Sequence, residues 1–508
     1  MIGVQIPTRT GRFDQQIESV KKTVQIAKRE GENVIVFPSV FLTGFDLQYL
    51  KLTPIVHQFN SAFFEMLEIS KSYEGYILMG AYAPSSDGWK SMIYLIQQGK
   101  NLFTYEKNDI QKDIYYFLNN RTFLLENERI GILFFDELKK NLLPSEIEEA
   151  FDKFIVFAEE PYFHGAISYR KNIIEKHFSS GKQVIFVNPL ALSSEKLYDG
   201  VFLLKEQKNF FFSKPFQESI FRLTPASLVN VEKEDKTQFL HDALVWGIRE
   251  FFTLNNFEKA VLGLSGGIDS AVVAVLASEA LGNKAVKALL LPSSYSSSFS
   301  ITDAEALAKR LSLNYEIIPI KEVYETVLKT RQVNSMMPSL AEENLQARIR
   351  MLYIMYEANR DRRLMLNTSN KSEILTGYGT LYGDTSGAIS VLGDVYKTEV
   401  YELARFINRH GEIIPDNIIK KEPSAELRPN QKDSDTLPPY HVLDPILMAI
   451  FEENASLDEI SNQYPKEVLQ KIVRLFYSSV FKGFQLPPKF SLHLSSIGNC
   501  KHLFYPRW

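Results

Sequence analysis

Six consecutive residues, Ser265-Gly266-Gly267-Ile268-Asp269-Ser270, combine the types needed to hold a phosphate. Two glycines let backbone N–H groups come close to an anion, and a helix starting there adds unpaired N–H groups and the positive end of its dipole. The serine hydroxyls supply further donors. No lysine follows in the G-x-x-x-x-G-K-[ST] spacing, and the glycines do not form G-x-G-x-x-G, so the pattern suits a pyrophosphate rather than a γ-phosphate or a Rossmann cofactor. An aspartate inside an anion cradle implies a cation as well, which makes Asp269 a candidate Mg²⁺ ligand. The competing reading is a glycine-rich strand-to-helix turn with a capping role only.

Such a turn works only where a strand delivers it and a helix leaves it. KAVLGLS, SAVVAVLASEALG, AVKALLLP, ITDAEALAKRLS and YEIIPI alternate strand and helix patterns around the hexapeptide, the rhythm of a doubly wound parallel sheet. The first half also alternates. MIGVQI, NVIVFPS, YILMGAY, IGILFF, KFIVFAE and QVIFVNP read as strands, with helical patterns over 15–30 and 63–73. The pattern weakens over 218–236, so we expect two domains, 1–230 and 231–508. The polar, proline-rich segment 421–439 reads as a loop rather than a core element.

SGGIDS resembles the signature of the ATP pyrophosphatases, which split ATP between its α and β phosphates to adenylate a substrate. NLQARIRM (344–351), NTSNKSEILTGYGTLYGDTSG and VYKTEVYELAR are similar in order and spacing to NAD synthetases, and PSAELRPNQKDSDTLPPYHVLD resembles their glutamine-dependent type. The resemblance implies conversion of deamido-NAD to NAD, with ATP as co-substrate and Mg²⁺ as cofactor. It also implies roles for single residues. The hexapeptide Ser265, Gly266, Gly267, Ile268, Asp269 and Ser270 would bind ATP together with Thr368 and Lys397. Asp269 and Glu373 would hold Mg²⁺, and Asn344, Arg348, Glu373, Asp384 and Lys482 would meet the dinucleotide. As isolated residues, Arg348 and Arg350 read equally as solvated helix positions and Lys397 as a surface lysine. VFKGFQLPPKF departs from the family pattern, because Gly483 stands where a second basic residue is expected.

The first half, from VQIPTRTGRFDQQIESVKKTVQIAKREGENVIVFPSVFLTGF to VNPLALSSEKLYDG, resembles the nitrilase-like amidase domain that supplies ammonia from glutamine. The fold class expected is therefore α/β, a nitrilase-like αββα sandwich followed by a doubly wound parallel-sheet ATP pyrophosphatase domain. Amidase chemistry needs a thiol nucleophile, a carboxylate base and an oxyanion-stabilising lysine. At the positions the resemblance assigns, Ser39 replaces the glutamate and Phe135 the cysteine, while Lys107 remains, a lone lysine without partners. Asp113 and Glu160 stand where a tyrosine and a serine are usual. We therefore expect no catalytic residues in this half, no glutaminase activity, and dependence on ammonia, free or from a separate donor.

Composition narrows the class. With 57 Lys+Arg against 61 Asp+Glu, the net charge of −4 offers no field for nucleic acid or an anionic membrane. The single cysteine, Cys500, excludes an intrachain disulfide and a CxxC cluster, which favours the cytoplasm. No apolar stretch approaches the roughly 18 residues of a membrane span. A homo-oligomer is expected on the resemblance. Two other functions stay open: a different ATP pyrophosphatase amidotransferase, and a regulatory or scaffold protein in which both sites have decayed.

Overall fold

The computed structural model describes residues 1–45, 53–85, 88–107, 118–119, 121–144, 146–179, 181–233, 235–333 and 337–493. Backbone contacts divide the chain into two compact units, Met1–Lys236 and Thr237–Trp508.

The first unit is an αββα sandwich. One sheet has six strands in the order Ser219–Arg222, Ile2–Gln5, Val34–Val36, Tyr76–Ser85, Gly88–Gln97, Lys100–Glu106. The other has seven, with Gln183–Val187, Lys153–Phe157 and Glu128–Phe134 side by side at its centre. Alternation along each strand decides which residues meet between the sheets. Val34, Val36 and Leu78 of the first sheet face Ile130, Ile132, Ile155 and Ile185 of the second. The intervening residues Ile35, Ile77 and Met79 pack outward under Val20, Val24, Phe59 and Met66 of two helices, Phe13–Glu30 and Thr53–Ser70. On the far face, Arg170 of the helix Ala166–His177 lies over the Phe186 ring.

The second unit holds a five-stranded parallel sheet in the order Asn314–Ile317, Val286–Leu290, Ala260–Gly263, Leu364–Asn367, Ile389–Ser390. Chain order reverses at the central strand, Ala260–Gly263, so a crevice opens at its carboxyl end, where ligands of such sheets bind. The next helix, Ile268–Leu281, is buried on nearly every side, as its all-round apolar sequence requires. Among the described residues no helix is long and apolar enough to cross a membrane.

A buried ionic network fastens the last described segment to this unit. Asp394, fully buried, accepts from Lys371 Nζ (2.7 Å) and Lys489 Nζ (3.3 Å) and from the backbone N–H groups of Leu492 (2.7 Å) and His493 (3.2 Å). His493 Nε2 lies 3.3 Å from Glu399 Oε1 and its Nδ1 3.6 Å from Asp394. Burial pushes the His493 imidazole down, but Asp394 and Glu399 outweigh it and hold the group up at about 9, with Lys371 opposing. Its folded value thus exceeds its unfolded one of about 6.5. The stabilisation is complete below pH 6.5 and disappears as pH rises through about 9, on the order of 3 kcal/mol. Thermal unfolding between pH 6 and 9.5 is expected to show this loss, and His493→Gln to flatten it. An unchanged slope in the variant would assign the pH dependence elsewhere.

Candidate functional site

The turn between Ala260–Gly263 and Ile268–Leu281 is set by its glycines and serines. Gly266 has φ +79°, and a Cβ there would stand 2.3 Å from the Ser300 carbonyl oxygen, so only glycine fits. Ser265 Oγ accepts from Gly267 N (3.2 Å) and lies 3.1 Å from Ser270 Oγ, which donates to Gly267 O (3.0 Å). The two serines therefore brace the loop and leave backbone N–H groups to face an anion.

Beside this turn three charged groups converge. Lys397, 2% exposed, opens the helix Lys397–Ile407; its Nζ lies 2.6 Å from Asp269 Oδ2 and 3.4 Å from Glu373 Oε1. Burial pulls the Lys397 ammonium down, yet Asp269 and Glu373 more than compensate and keep it charged. The Glu373 carboxyl moves up, chiefly through burial and then through Asp269 and Asp433, against the pull of Lys397. Asn370 holds the cluster together. Its Oδ1 accepts from Glu373 N (3.0 Å) in a capping box at the start of Lys371–Thr376, and its Nδ2 donates to Asp269 Oδ1 (2.9 Å).

Ser265 to Ser270, Thr368, Glu373, Asp384 and Lys397 line one cavity of about 290 Å³. Asp384 is positioned by Thr380 N, which donates to its Oδ1 (2.8 Å). Other expected residues are not part of this wall. Asn344 Oδ1 accepts from Thr380 Oγ1 (2.7 Å), and the exposed Arg348 donates to the Leu381 carbonyl (3.1 Å). Lys482 Nζ donates to the Gly377 and Gly379 carbonyls, both at 2.7 Å, and so supports the turn leading to Asp384. Arg350, rather than Arg348, reaches the cavity, anchored by its Nε on the Leu291 carbonyl (3.0 Å).

The sequence missed Asn370, Tyr378, Glu426 and Asp433. For Asn370 the signal was present, an N-x-x-E box directly after the apolar run LMLN. The segment 421–439, expected to be a loop, is one, but it is built into the site. Lys421 to Leu427 and Asp433 line the cavity, and Glu426 accepts from Ser297 Oγ (2.9 Å), Ser300 Oγ (2.9 Å) and Lys421 Nζ (2.6 Å).

In the first unit Phe135 begins the short helix Phe135–Lys139 directly after Glu128–Phe134. It is 1% exposed, with its ring edge-on to Phe186 at 5.1 Å. Buried Ser39 donates from Oγ to the Ala158 carbonyl. Lys107 is not the lone lysine expected. Its Nζ lies 2.8 Å from Glu159 and 3.0 Å from Asp136, while Glu159 also accepts from Ser91 Oγ (2.7 Å). Burial acts to lower the Lys107 ammonium, and these carboxylates raise it further than burial lowers it. Glu160 pairs with Lys139 at 2.6 Å. Sequence inspection could not find Glu159, because the chain brings it to Lys107 from 52 residues away. Asp113 and Cys500 lie outside the described residues.

Residues 240–486 match the NAD synthase family model, and residues 3–124 match the carbon-nitrogen hydrolase model. The chain is 34% identical to a glutamine-dependent NAD(+) synthetase of Synechocystis sp., over 95% of this chain and 94% of that protein. It is 31% identical to one of Thermotoga maritima, over 94% of this chain and 93% of that one. The solved structure of a glutamine-dependent NAD+ synthetase from Acinetobacter baumannii in complex with adenosine diphosphate is similar, with a TM-score of 0.72 and 26% identity over 98% of this chain and 97% of that one. A glutamine-dependent NAD(+) synthetase from Cytophaga hutchinsonii shares the fold, with a TM-score of 0.80 at 16% identity over 99% and 97%.

Gly266→Ala is expected to weaken ATP binding by about tenfold or more, since the strained backbone and the clash with Ser300 together cost roughly 1–3 kcal/mol. Calorimetric titration with ATP checks this, and wild-type affinity in a folded variant would show that the loop tolerates a Cβ.

Proposed function

The chain belongs to the glutamine-dependent NAD(+) synthetase family, and from that membership we propose that it amidates deamido-NAD to NAD with ATP while drawing its nitrogen from ammonia rather than glutamine. One observation carries the departure from its relatives: Phe135 occupies the strand-to-helix junction to which the resemblance assigns the thiol. A phenyl ring has no nucleophilic atom, and loss of a covalent nucleophile costs on the order of 10⁶-fold in rate. Lys107 and Glu159 retain an ion pair there, but a lysine and a carboxylate cannot form the acyl intermediate without a nucleophile.

The synthetase chemistry follows from the cavity. The loop 265–270 cradles the pyrophosphate portion of ATP, a reading supported by the adenosine diphosphate in the Acinetobacter baumannii relative. The deamido-NAD carboxylate attacks the α-phosphorus, pyrophosphate leaves, and the acyl-adenylate is amidated with release of AMP. Lys397, charged and almost fully buried, offsets the negative charge that accumulates as pyrophosphate departs. Thr368 adds a hydroxyl to the nucleotide side, and Asp384 serves the dinucleotide side from the cavity wall, with Asn344, Arg348 and Lys482 supporting it from outside that wall.

Mg²⁺ fits this site. Asp269 and Glu373 converge on one point, and together with Asp433 they outnumber Lys397, the one basic group that counters all three. Among the described residues no group of three or more His, Cys, Asp or Glu forms a protein cage. Two carboxylates completed by phosphate oxygens and water are the usual Mg²⁺ arrangement. Asp269 and Glu373 would hold the ion, which would supply charge neutralisation at the phosphates. Leu352 and Tyr356, 61% and 62% exposed on the helix that carries Asn344 and Arg348, offer an apolar face suited to self-association as a homo-oligomer.

The test is NAD formation from deamido-NAD, ATP and Mg²⁺ with ammonium or glutamine as sole nitrogen source. Ammonium alone should support turnover, and glutamine should yield neither NAD nor glutamate. Product from glutamine would overturn the ammonia assignment, and no product from either would overturn the substrate assignment.

A further inference from the structure

Three cations stand in the wall of the synthetase cavity, and two of them are paired: Lys397 with Asp269 and Glu373, Lys421 with Glu426. Arg350 is the third. It sits on the helix Leu340–Arg360, where Ala347, Arg350, Met351 and Ile354 form one stripe along the cavity, while Arg348 falls off that stripe into solvent. Ile349, Ile354 and Ala358 pack this helix against Val261 and Leu289 of the parallel sheet, so the side chain leaves from a fixed point. Its Nε donates to the Leu291 carbonyl (3.0 Å), which orients the guanidinium plane. Among the described residues neither Nη group has a hydrogen bond or ion pair to the protein, although a guanidinium carries five N–H donors.

Two carboxylates act on Arg350 without pairing to it. Burial lowers the guanidinium, Asp384 and Glu426 raise it, and the balance stands at about 10, so the group is charged at neutral pH. Both carboxylates are engaged elsewhere: Asp384 accepts from Thr380 N, and Glu426 from Ser297, Ser300 and Lys421. A half-buried planar cation with open N–H groups in a cavity matches an anion that offers two oxygens, a phosphoryl group or a carboxylate. The proposed reaction brings both. The loop 265–270 and Lys397 already face the pyrophosphate portion of ATP, which leaves the α-phosphoryl group without a cation of its own. Arg350 lies between the two sides of that group. Glu426 is bonded to Ser300, whose backbone packs on Gly266 of the loop, and Asp384 stands on the dinucleotide side.

We infer that Arg350 binds the non-bridging oxygens of the ATP α-phosphoryl group through its Nη groups and stays on them in the acyl-adenylate. This rests on the reading of the cavity as an adenylating site. A carboxylate oxygen forms a bond to the α-phosphorus, the bond from that phosphorus to the oxygen bridging the β-phosphate breaks, and pyrophosphate leaves with the electron pair. No proton moves. The step drives one anion against another, and a guanidinium already fixed on the phosphoryl oxygens removes that repulsion and stabilises the charge gathered there in the transition state.

Arg350→Met keeps the apolar stem and removes the charged fork. Calorimetric titration of the full chain in the presence of Mg²⁺ should show AMP binding weakened by about tenfold or more, the loss of charge-assisted hydrogen bonds, with pyrophosphate and adenosine binding unchanged. Arg350→Lys keeps a cation without the fork; it should weaken AMP binding about threefold, and it serves if Arg350→Met does not fold. Equal losses for AMP and adenosine would place the guanidinium on the base. Equal losses for AMP and pyrophosphate would make it a structural support of the cavity, and a loss confined to deamido-NAD would move it to the carboxylate. Each of these, or wild-type AMP affinity in both variants, overturns the assignment. Wild-type ATP–pyrophosphate exchange that depends on deamido-NAD tests the adenylating reading separately, and its absence would overturn that reading instead.

Discussion

The synthetase unit turns on one buried charge. Lys397 sits at the first position of its helix, where the dipole disfavours a cation, and it is almost completely removed from water. Either circumstance alone would favour the neutral amine. The ammonium persists because Asp269 stands 2.6 Å away and Glu373 3.4 Å away, so the three groups are stable only as a set. Each comes from a different element: the first turn of the helix after the central strand, a short capped helix, and the start of a later helix. The sheet order brings them together by placing Leu364–Asn367 directly beside Ala260–Gly263. Asn370 completes the set, since one side chain both caps the helix bearing Glu373 and hydrogen-bonds Asp269. A local preference is broken at Lys397 and compensated nearby by its two carboxylate partners.

Asp394 does the corresponding work behind the site. It ties Lys371, two residues before Glu373, to the segment carrying Leu492 and His493, while Glu399 accepts from Tyr396 N at the start of the Lys397 helix. The position of Lys397 is thus set by a network that never touches the cavity. Ser372 extends the same frame, since its Oγ donates to Asp444 and accepts from Lys397 N (3.0 Å).

Much of this was legible in the sequence, and the remainder was hidden for identifiable reasons. The hexapeptide announced itself because glycine is obligatory at Gly266 and because its flanking apolar runs have different periods. Glu373, Thr368, Asp384 and Lys397 were implied by the family resemblance, and all four line the cavity. Asn344, Arg348 and Lys482 were implied by the same resemblance and do not, because a matching position on an element does not fix the direction in which the side chain leaves it. Asp433 was missed because a polar, proline-rich stretch reads as solvent-exposed chain. Only the fold shows that Asp433 N is bonded to the Pro423 carbonyl and that Tyr440 closes over the carboxylate. Glu159 was missed because its partner Lys107 lies on the other sheet of the sandwich, and no periodicity links residues across two sheets.

In the first unit, changing one side chain and removing structure carry very unequal costs. At its strand-to-helix junction the supporting bonds remain: Glu137 accepts from Phe134 N (2.8 Å) and from the buried Arg121. Phe135 is as well buried as any core residue, so a ring at this position adds apolar contact and leaves no void. Deleting the domain is a different matter. The strands that face each other across the sandwich keep their apolar residues in water-free contact only while both sheets are present. A buried ion pair such as Arg170 with Asp199 would be stranded by partial loss, at a cost of about 3–5 kcal/mol. A change of one side chain at this junction is therefore compatible with an intact fold around it.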